Sequence, residues 1–178
     1  MILKEKKITG NLSYDGVLLK LHCDEVILPG GEKSVREWID HPGAAAVIPL
    51  LPDNRVVLVR QFRYPVNRET LEIPAGKIDP GESPRQCAER ELAEETGFSG
   101  GSFQKIGSFI TTPAFTNEKI HLFLTKKPAP GTTGPDEDEY VNTSILEISE
   151  VLNMIDQGLI MDAKTIIAFL LAQRKGFL

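Results

Sequence analysis

Five glutamates fall within one short stretch, residues 76–98, GKIDPGESPRQCAERELAEETGF. Glu91 and Glu95 are four residues apart and Glu91 and Glu94 three apart, spacings that place them on one face of a helix. Both ends of that helix are marked locally. Ser83 can cap it, Pro84 suits its first position, Gln86 completes a capping box, and Gly97 stands where a helix C-terminus takes a left-handed residue. Like charges at these spacings cost an isolated helix about 0.2–0.5 kcal/mol per pair, and Glu82 adds a further carboxylate just before it. Runs of this kind also occur on ordinary solvated helices. Here the acids follow a Pro/Gly loop, and Ala88 and Leu92 supply an opposite, core-facing side. Oxygen ligands at close range are what a hard divalent cation requires.

The elements around this segment read as strands mixed with helices. Residues 7–13, 17–28 and 34–39 look like short strands separated by turns, with Pro29-Gly30-Gly31 the clearest break. Ala44 to Leu51 is a continuous apolar run bounded by Pro52-Asp53-Asn54, which predicts a buried strand. Arg55 to Arg63 is its expected hairpin partner, and 70–74 is short and extended. Strands are expected at about 103–111, 119–125 and 141–148, with a Pro/Gly/Asp-rich acidic loop over 128–140. Helices are expected over 149–157 and 162–175, the last with a broad apolar face of Ile166, Ile167, Phe169, Leu170 and Leu171. Strands mixed with helices predict α/β layers. The division expected is a β extension over residues 1–42 and a main domain over 43–178.

Composition narrows the partners. The chain has 178 residues, 41% hydrophobic and 25% charged, enough to bury a core. The net charge of −5 and the lack of a basic cluster argue against a nucleic-acid polymer. An acidic protein acting on an acidic substrate needs cations at its site. Cys23 and Cys87 are too few for a disulfide framework and read as reduced thiols of a cytoplasmic protein. The histidines His22, His41 and His121 show no metal-ligand spacing. The first residues lack the apolar run of a signal peptide, and no stretch is long enough to span a bilayer, so no membrane association is expected.

The segment 76–98 resembles the Nudix box at every fixed position: Gly76, Glu82, Arg90, Glu91, Leu92, Glu94, Glu95, Gly97 and Phe98. The resemblance implies the Nudix fold, α/β, with a mixed β-sheet sandwiched between helices, and hydrolysis of a nucleoside diphosphate linked to another moiety. It implies that Glu91, Glu94 and Glu95 hold Mg²⁺ (or Mn²⁺), with Glu82 helping directly or through water, and that Arg90 orients these carboxylates.

Beyond the box, residues 34–172 resemble the ADP-ribose pyrophosphatase and nucleoside diphosphate sugar hydrolase group. Arg60 to Val66 and Glu69 to Gly76 look like its lead-in, and Pro113, sixteen residues after Gly97, like its marker proline. Residues 112–118 look like its Ser-Pro-Gly-Phe-x-x-Glu loop, with Thr112 and Ala114 in place of Ser and Gly. Asp136 to Glu139 and the helix start at Asp162 also resemble it. This likeness implies that the Ala75 carbonyl binds a metal, that Arg63 contacts substrate phosphates or sugar, and that Glu37 and Trp38 hold the nucleobase. An aromatic face such as that of Trp38 can stack on a base, or can pack an interface. Arg63 equally fits a strand-edge surface residue, and Glu118 a solvated loop acid. The likeness implies that Glu118 is the general base, the alternatives being Glu94 or the metal ions alone. The substrate implied is ADP-ribose or a related nucleotide sugar. Broad nucleoside diphosphate sugar hydrolysis is the runner-up, and a non-catalytic ADP-ribose sensor the reading from another class. A homodimer in which the extension completes the partner's nucleobase pocket is also implied.

Overall fold

The computed structural model describes residues 3–131, 134 and 140–178. The acidic run 136–139 lies outside the described residues. Contacts divide the chain into two compact units: residues up to Gly43 together with 110–119, and residues 44–109 together with 120–178.

The first unit carries a three-stranded antiparallel sheet, β1 (Lys6–Asp15), β2 (Lys20–Ile27) and β3 (Lys33–Asp40), in that order. The register sets His22 opposite Trp38 and Cys23 opposite Glu37. All of β1 is exposed, including Ile8, Leu12 and Tyr14, whereas Val26 of β2 is buried. Val17, expected within a strand, lies in the β1–β2 turn and is fully exposed. The Gly16 N–H donates to the Leu19 carbonyl there, which closes the reversal one residue before pairing resumes.

The second unit is built on a seven-stranded mixed sheet. In chain order its elements are β4 (Ala44–Leu50), β5 (Arg55–Arg63), a 3₁₀ turn at Tyr64–Val66, β6 (Arg68–Glu72), β7 (Ala75–Lys77), α1 (Pro84–Thr96), β8 (Phe98–Ser99), β9 (Ser102–Ile110), β10 (Lys119–Lys126), β11 (Ala129–Pro130), β12 (Val141–Glu147), α2 (Ile148–Asp156) and α3 (Ala163–Arg174). The main order is β12-β5-β4-β10-β9, with β6 on β5 and β7 on β4, while β8 and β11 pair separately. Residues 129–130, expected to be loop, are therefore a short strand. The β4–β5 hairpin holds only at its base, Leu50 opposite Val56. The rest of β4 pairs in parallel with β10 over Ala44–Leu50 and antiparallel with β7.

The continuous apolar character of β4 follows from burial of both its faces. Ala44, Ala46, Ile48 and Leu50 pack with Val151 of α2 and with Ala168, Phe169 and Ala172 of α3. Ala45 and Val47, on the alternate face, pack with Cys87, Ala88 and Leu92 of α1. The sheet is thus sandwiched between helices. In α3 the buried stripe is Thr165, Ala168, Phe169 and Ala172, at the i, i+3, i+4, i+7 spacing. Leu170, expected on the apolar face, is 47% exposed because it lies outside that stripe. No helix of the described residues is long and apolar enough to cross a membrane.

Candidate active site

Helix α1 begins and ends where its local signals require. The Ser83 hydroxyl accepts from the Gln86 N–H, the Gln86 side chain accepts from the Ser83 N–H at 2.9 Å, and Gly97 takes φ 72. Fixing both ends fixes the rotation of the helix, and with it which side chains face β7. Ala88 and Leu92 go into the core, and Glu91 and Glu95 are buried on the side next to the 75–76 backbone.

Arg90 gathers the acids. Its Nε and Nη2 donate to the two oxygens of Glu82 at 3.0 and 3.1 Å, and its Nη1 donates to Glu91 at 2.7 Å and to Glu94 at 2.9 Å. Nη2 also donates to the Lys77 carbonyl at 3.1 Å. The hydrogen bond from Arg90 holds the Glu82 carboxyl below its ordinary range, and the surrounding acids, Glu82 foremost, keep Arg90 firmly protonated. Arg90 thus donates to three carboxylates, those of Glu82, Glu91 and Glu94. The Glu95 carboxylate accepts from the Ala75 N–H at 3.1 Å.

Among the described residues no three His, Cys, Asp or Glu side chains form a ready metal cage. The donor set nevertheless fits a hard divalent cation: several carboxylates, all oxygen donors, two of them buried against a strand backbone. Gly76 makes that closeness possible. A Cβ there would lie 1.8 Å from the Glu91 carboxylate. Gly76→Ala is therefore expected to fold, because the obstructed group is the end of a flexible side chain, but to displace Glu91 and weaken divalent-ion binding at least tenfold. Calorimetric titration with Mn²⁺ checks this, and wild-type affinity in the variant would refute it.

The expected substrate residues have different surroundings. Arg63 forks onto Glu72 at 2.8 and 2.7 Å while its side chain stays 42% exposed. Glu72 also takes Lys164, which reaches Asp162 at 3.1 Å, and the Thr70 hydroxyl at 2.5 Å. This network was missed in the sequence. Its only signal is an acid between the apolar Leu71 and Ile73. Burial would raise the Glu72 carboxyl, but Arg63 and then Lys164 overcome it and bring it down to about 2.

In the first unit Trp38 stacks on His22, ring centroids 4.5 Å apart, and donates to Asp24 at 3.0 Å. Its neighbour Glu37 is exposed, as is Pro113. Glu118 accepts from the Thr111 hydroxyl at 2.8 Å and faces His41 at 3.8 Å. The structure therefore groups the box acids with Ala75 in one unit, and Glu37, Trp38, Pro113 and Glu118 in the other.

An acid-bearing loop–helix on a mixed sheet between helices defines a class, and residues 40–168 match the NUDIX domain family. The chain belongs to that family, whose pyrophosphatases generally use a divalent metal. It is 42% identical over 169 residues to the methanol dehydrogenase activator of Bacillus methanolicus, covering 94% of this chain and 91% of that one. It is 37% identical over 175 residues to the ADP-ribose pyrophosphatase of Bacillus subtilis, covering 97% and 95%. It is 35% identical over 156 residues to the GDP-mannose pyrophosphatase of Yersinia enterocolitica, covering 82% and 81%. A crystal structure described as an ADP compounds hydrolase superposes with a TM-score of 0.86 at 20% identity, covering 98% of this chain and 95% of that one, a likeness of fold.

Proposed function

We propose that this protein hydrolyses the pyrophosphate of ADP-ribose or a related nucleoside diphosphate sugar in the cytoplasm, giving a nucleoside monophosphate and a sugar phosphate. The observation that carries this reading is the convergence of Glu82, Glu91 and Glu94 on Arg90, with Glu91 and Glu95 set against the backbone at 75–76. The likeness to pyrophosphatases of ADP-ribose and GDP-mannose supports it.

In this reading Glu91, Glu94 and Glu95, with the Ala75 carbonyl and Glu82, hold Mg²⁺ or Mn²⁺. A bound divalent ion neutralises charge on phosphate oxygens and acidifies water. Arg90 keeps the acids aligned. Arg63, steadied by Glu72, presents its exposed edge to the substrate's phosphates or sugar. Glu37 and Trp38, with the Pro113 loop, receive the base. Glu118 takes the proton of the attacking water, Glu94 being the alternative base. Retention of every box carboxylate favours an enzyme over a silent sensor.

The test is a panel of ADP-ribose, ADP-glucose, UDP-glucose, GDP-mannose, a dinucleoside polyphosphate and a nucleoside triphosphate with MgCl₂. Fastest turnover of ADP-ribose is expected. Equal rates on all the sugars would leave the broad-specificity reading, and no turnover of any compound would end the enzymatic one. Likeness to an activator protein favours a second reading, in which the chain acts on a dehydrogenase partner. Stimulation of a methanol dehydrogenase without turnover of free nucleotides would select it.

Residues 1–42 form, in the same proposal, a dimerisation extension to a hydrolase domain at 43–178. The support is the exposed edge strand β1 and the exposed Ile8, Leu12, Tyr14, Val17, Leu18 and Leu19, apolar surface that a second copy would cover. Sedimentation at micromolar concentration is expected to give about 39 kDa, twice the 19.7 kDa chain. A single 19.7 kDa species ends the dimer reading. If Glu37 and Trp38 serve the partner's site, co-refolded Trp38→Ala and Glu95→Gln chains regain activity. No recovery in a confirmed mixed dimer assigns each pocket to one chain.

A further inference from the structure

We propose that His41 is a positioning residue for Glu118: together with the Thr111 hydroxyl it sets the direction of that carboxylate. The inference rests on Glu118 being the general base. His41 and Glu118 lie seventy-seven positions apart in sequence, and no spacing rule connects them.

The geometry begins with the ring nitrogens. His41 Nδ1 accepts the Gly43 backbone N–H at 3.0 Å. A nitrogen that accepts carries no proton, so in the neutral ring the hydrogen resides on Nε2. Nε2 is the atom that faces Glu118 Oε1, at 3.8 Å. That separation is longer than a hydrogen bond, the kind of catalytic contact that tightens when substrate is bound. Glu118 Oε2, on the other side, accepts from Thr111 Oγ1 at 2.8 Å. One carboxylate thus lies between two donors from separate segments.

The surroundings make His41 a fixed reference. Its backbone N–H donates to the Asn117 side-chain oxygen at 2.7 Å, and the Asn117 amide donates to Asp40 at 2.6 Å. The Ile39 N–H donates to the Phe115 carbonyl at 2.8 Å, and the Thr111 N–H to the Glu118 carbonyl at 3.2 Å. The end of β3 is therefore laced to Phe115 and Asn117, just before Glu118, and Thr111 holds the backbone of Glu118 itself. The His41 side chain is 14% exposed and that of Glu118 27%, so the histidine is held while the acid keeps an approach for water.

In the step served, a water proton passes to the Glu118 carboxylate as the water oxygen bonds to phosphorus. The bridging P–O bond breaks, and its electron pair leaves with the departing phosphate. Each carboxylate oxygen has two acceptor positions, so the donors from His41 and Thr111 leave room for that proton. Alignment of the base is a transition-state effect, which belongs in kcat and not in KM.

Two substitutions separate positioning from support. His41→Asn keeps an acceptor near the place of Nδ1 but loses the Nε2–H, whereas His41→Gln keeps an N–H near the place of Nε2. Rates are measured on the best substrate of the panel in saturating MgCl₂, with thermal melting of each variant. Expected is a kcat about tenfold lower for His41→Asn with KM within about threefold, most activity recovered in His41→Gln, and no further loss when His41→Asn is added to Glu118→Gln. Thr111→Val, which removes the other donor, is expected to lose its effect in the Glu118→Gln background too, and it carries the test if a His41 variant does not fold. If Glu118→Gln is impaired but His41→Asn is fully active, or Gln does no better than Asn, or the losses multiply, the positioning role is overturned and the base reading stands. If Glu118→Gln itself keeps kcat within a few-fold of wild type, the base reading falls and this inference with it.

Discussion

Glu95→Gln is expected to lower kcat at least a hundredfold while leaving the protein folded. Glu95 is 3% exposed, at the last turn of α1, and its carboxylate is tied to the Ala75 N–H. Glutamine keeps the length and an oxygen acceptor for that N–H, so the local backbone has no reason to move. What disappears is one negative charge among neighbours of like sign. That relieves repulsion in the metal-free protein and removes a ligand from the proposed metal site. Losing a charged ligand that neutralises phosphate charge raises the barrier by roughly 3 kcal/mol or more, which is the hundredfold. Glu91→Gln is expected to behave alike. Initial rates across a MgCl₂ titration, with circular dichroism of each variant, check both halves. Wild-type turnover in excess EDTA, or by either variant, would end the metal-site reading.

Glu72→Gln is expected to act on stability, lowering it by about 3 kcal/mol at neutral pH. This carboxylate is 2% exposed and holds Arg63 and Lys164 together with the Thr70 hydroxyl. Removing one partner of a buried ion pair costs about 3–5 kcal/mol, because the remaining charge stays desolvated. The 42% exposure of Arg63 puts the effect at the low end. The acid side gives an independent check. The carboxyl lies near 2 in the fold against 4.5 ordinarily, so its stabilisation is present above about pH 4.5 and is lost as pH falls toward 2. A displacement of that size corresponds to about 3 kcal/mol. Urea unfolding of both proteins at pH 7 and pH 3 should therefore show the gap narrowing at the lower pH. A gap that is absent at pH 7, or that widens on acidification, would remove Glu72 from this role.

How much of this was legible in sequence depends on the range of the interaction. Both ends of α1 were readable because capping is local: Ser83 and Gln86 are three residues apart, and Gly97 meets the backbone need of its own position. The shared face of Glu91, Glu94 and Glu95 follows from helical periodicity alone. The burial of β4 was readable as an unbroken apolar run, and the Nudix box identified the family because its fixed positions all lie within one short segment, residues 76–98.

Partner choice beyond the adjacent β4–β5 hairpin was not legible. A strand's own residues say that both faces are buried, but not that β4 pairs in parallel with β10 or receives β7 beside it. Those pairings depend on the path of the whole chain. For the same reason the acid at Glu72 could be seen, but not its union with Lys164, which arrives from a helix ninety-two residues later. His41 looked scattered because its relation to Glu118 exists only once the loop 112–118 is laced to the end of β3. Sequence alone determined the helix, its caps, the acidic face and the family. Tertiary structure decided that distant Lys164 meets the buried Glu72, because a desolvated carboxylate takes its partner from whatever the fold brings within reach.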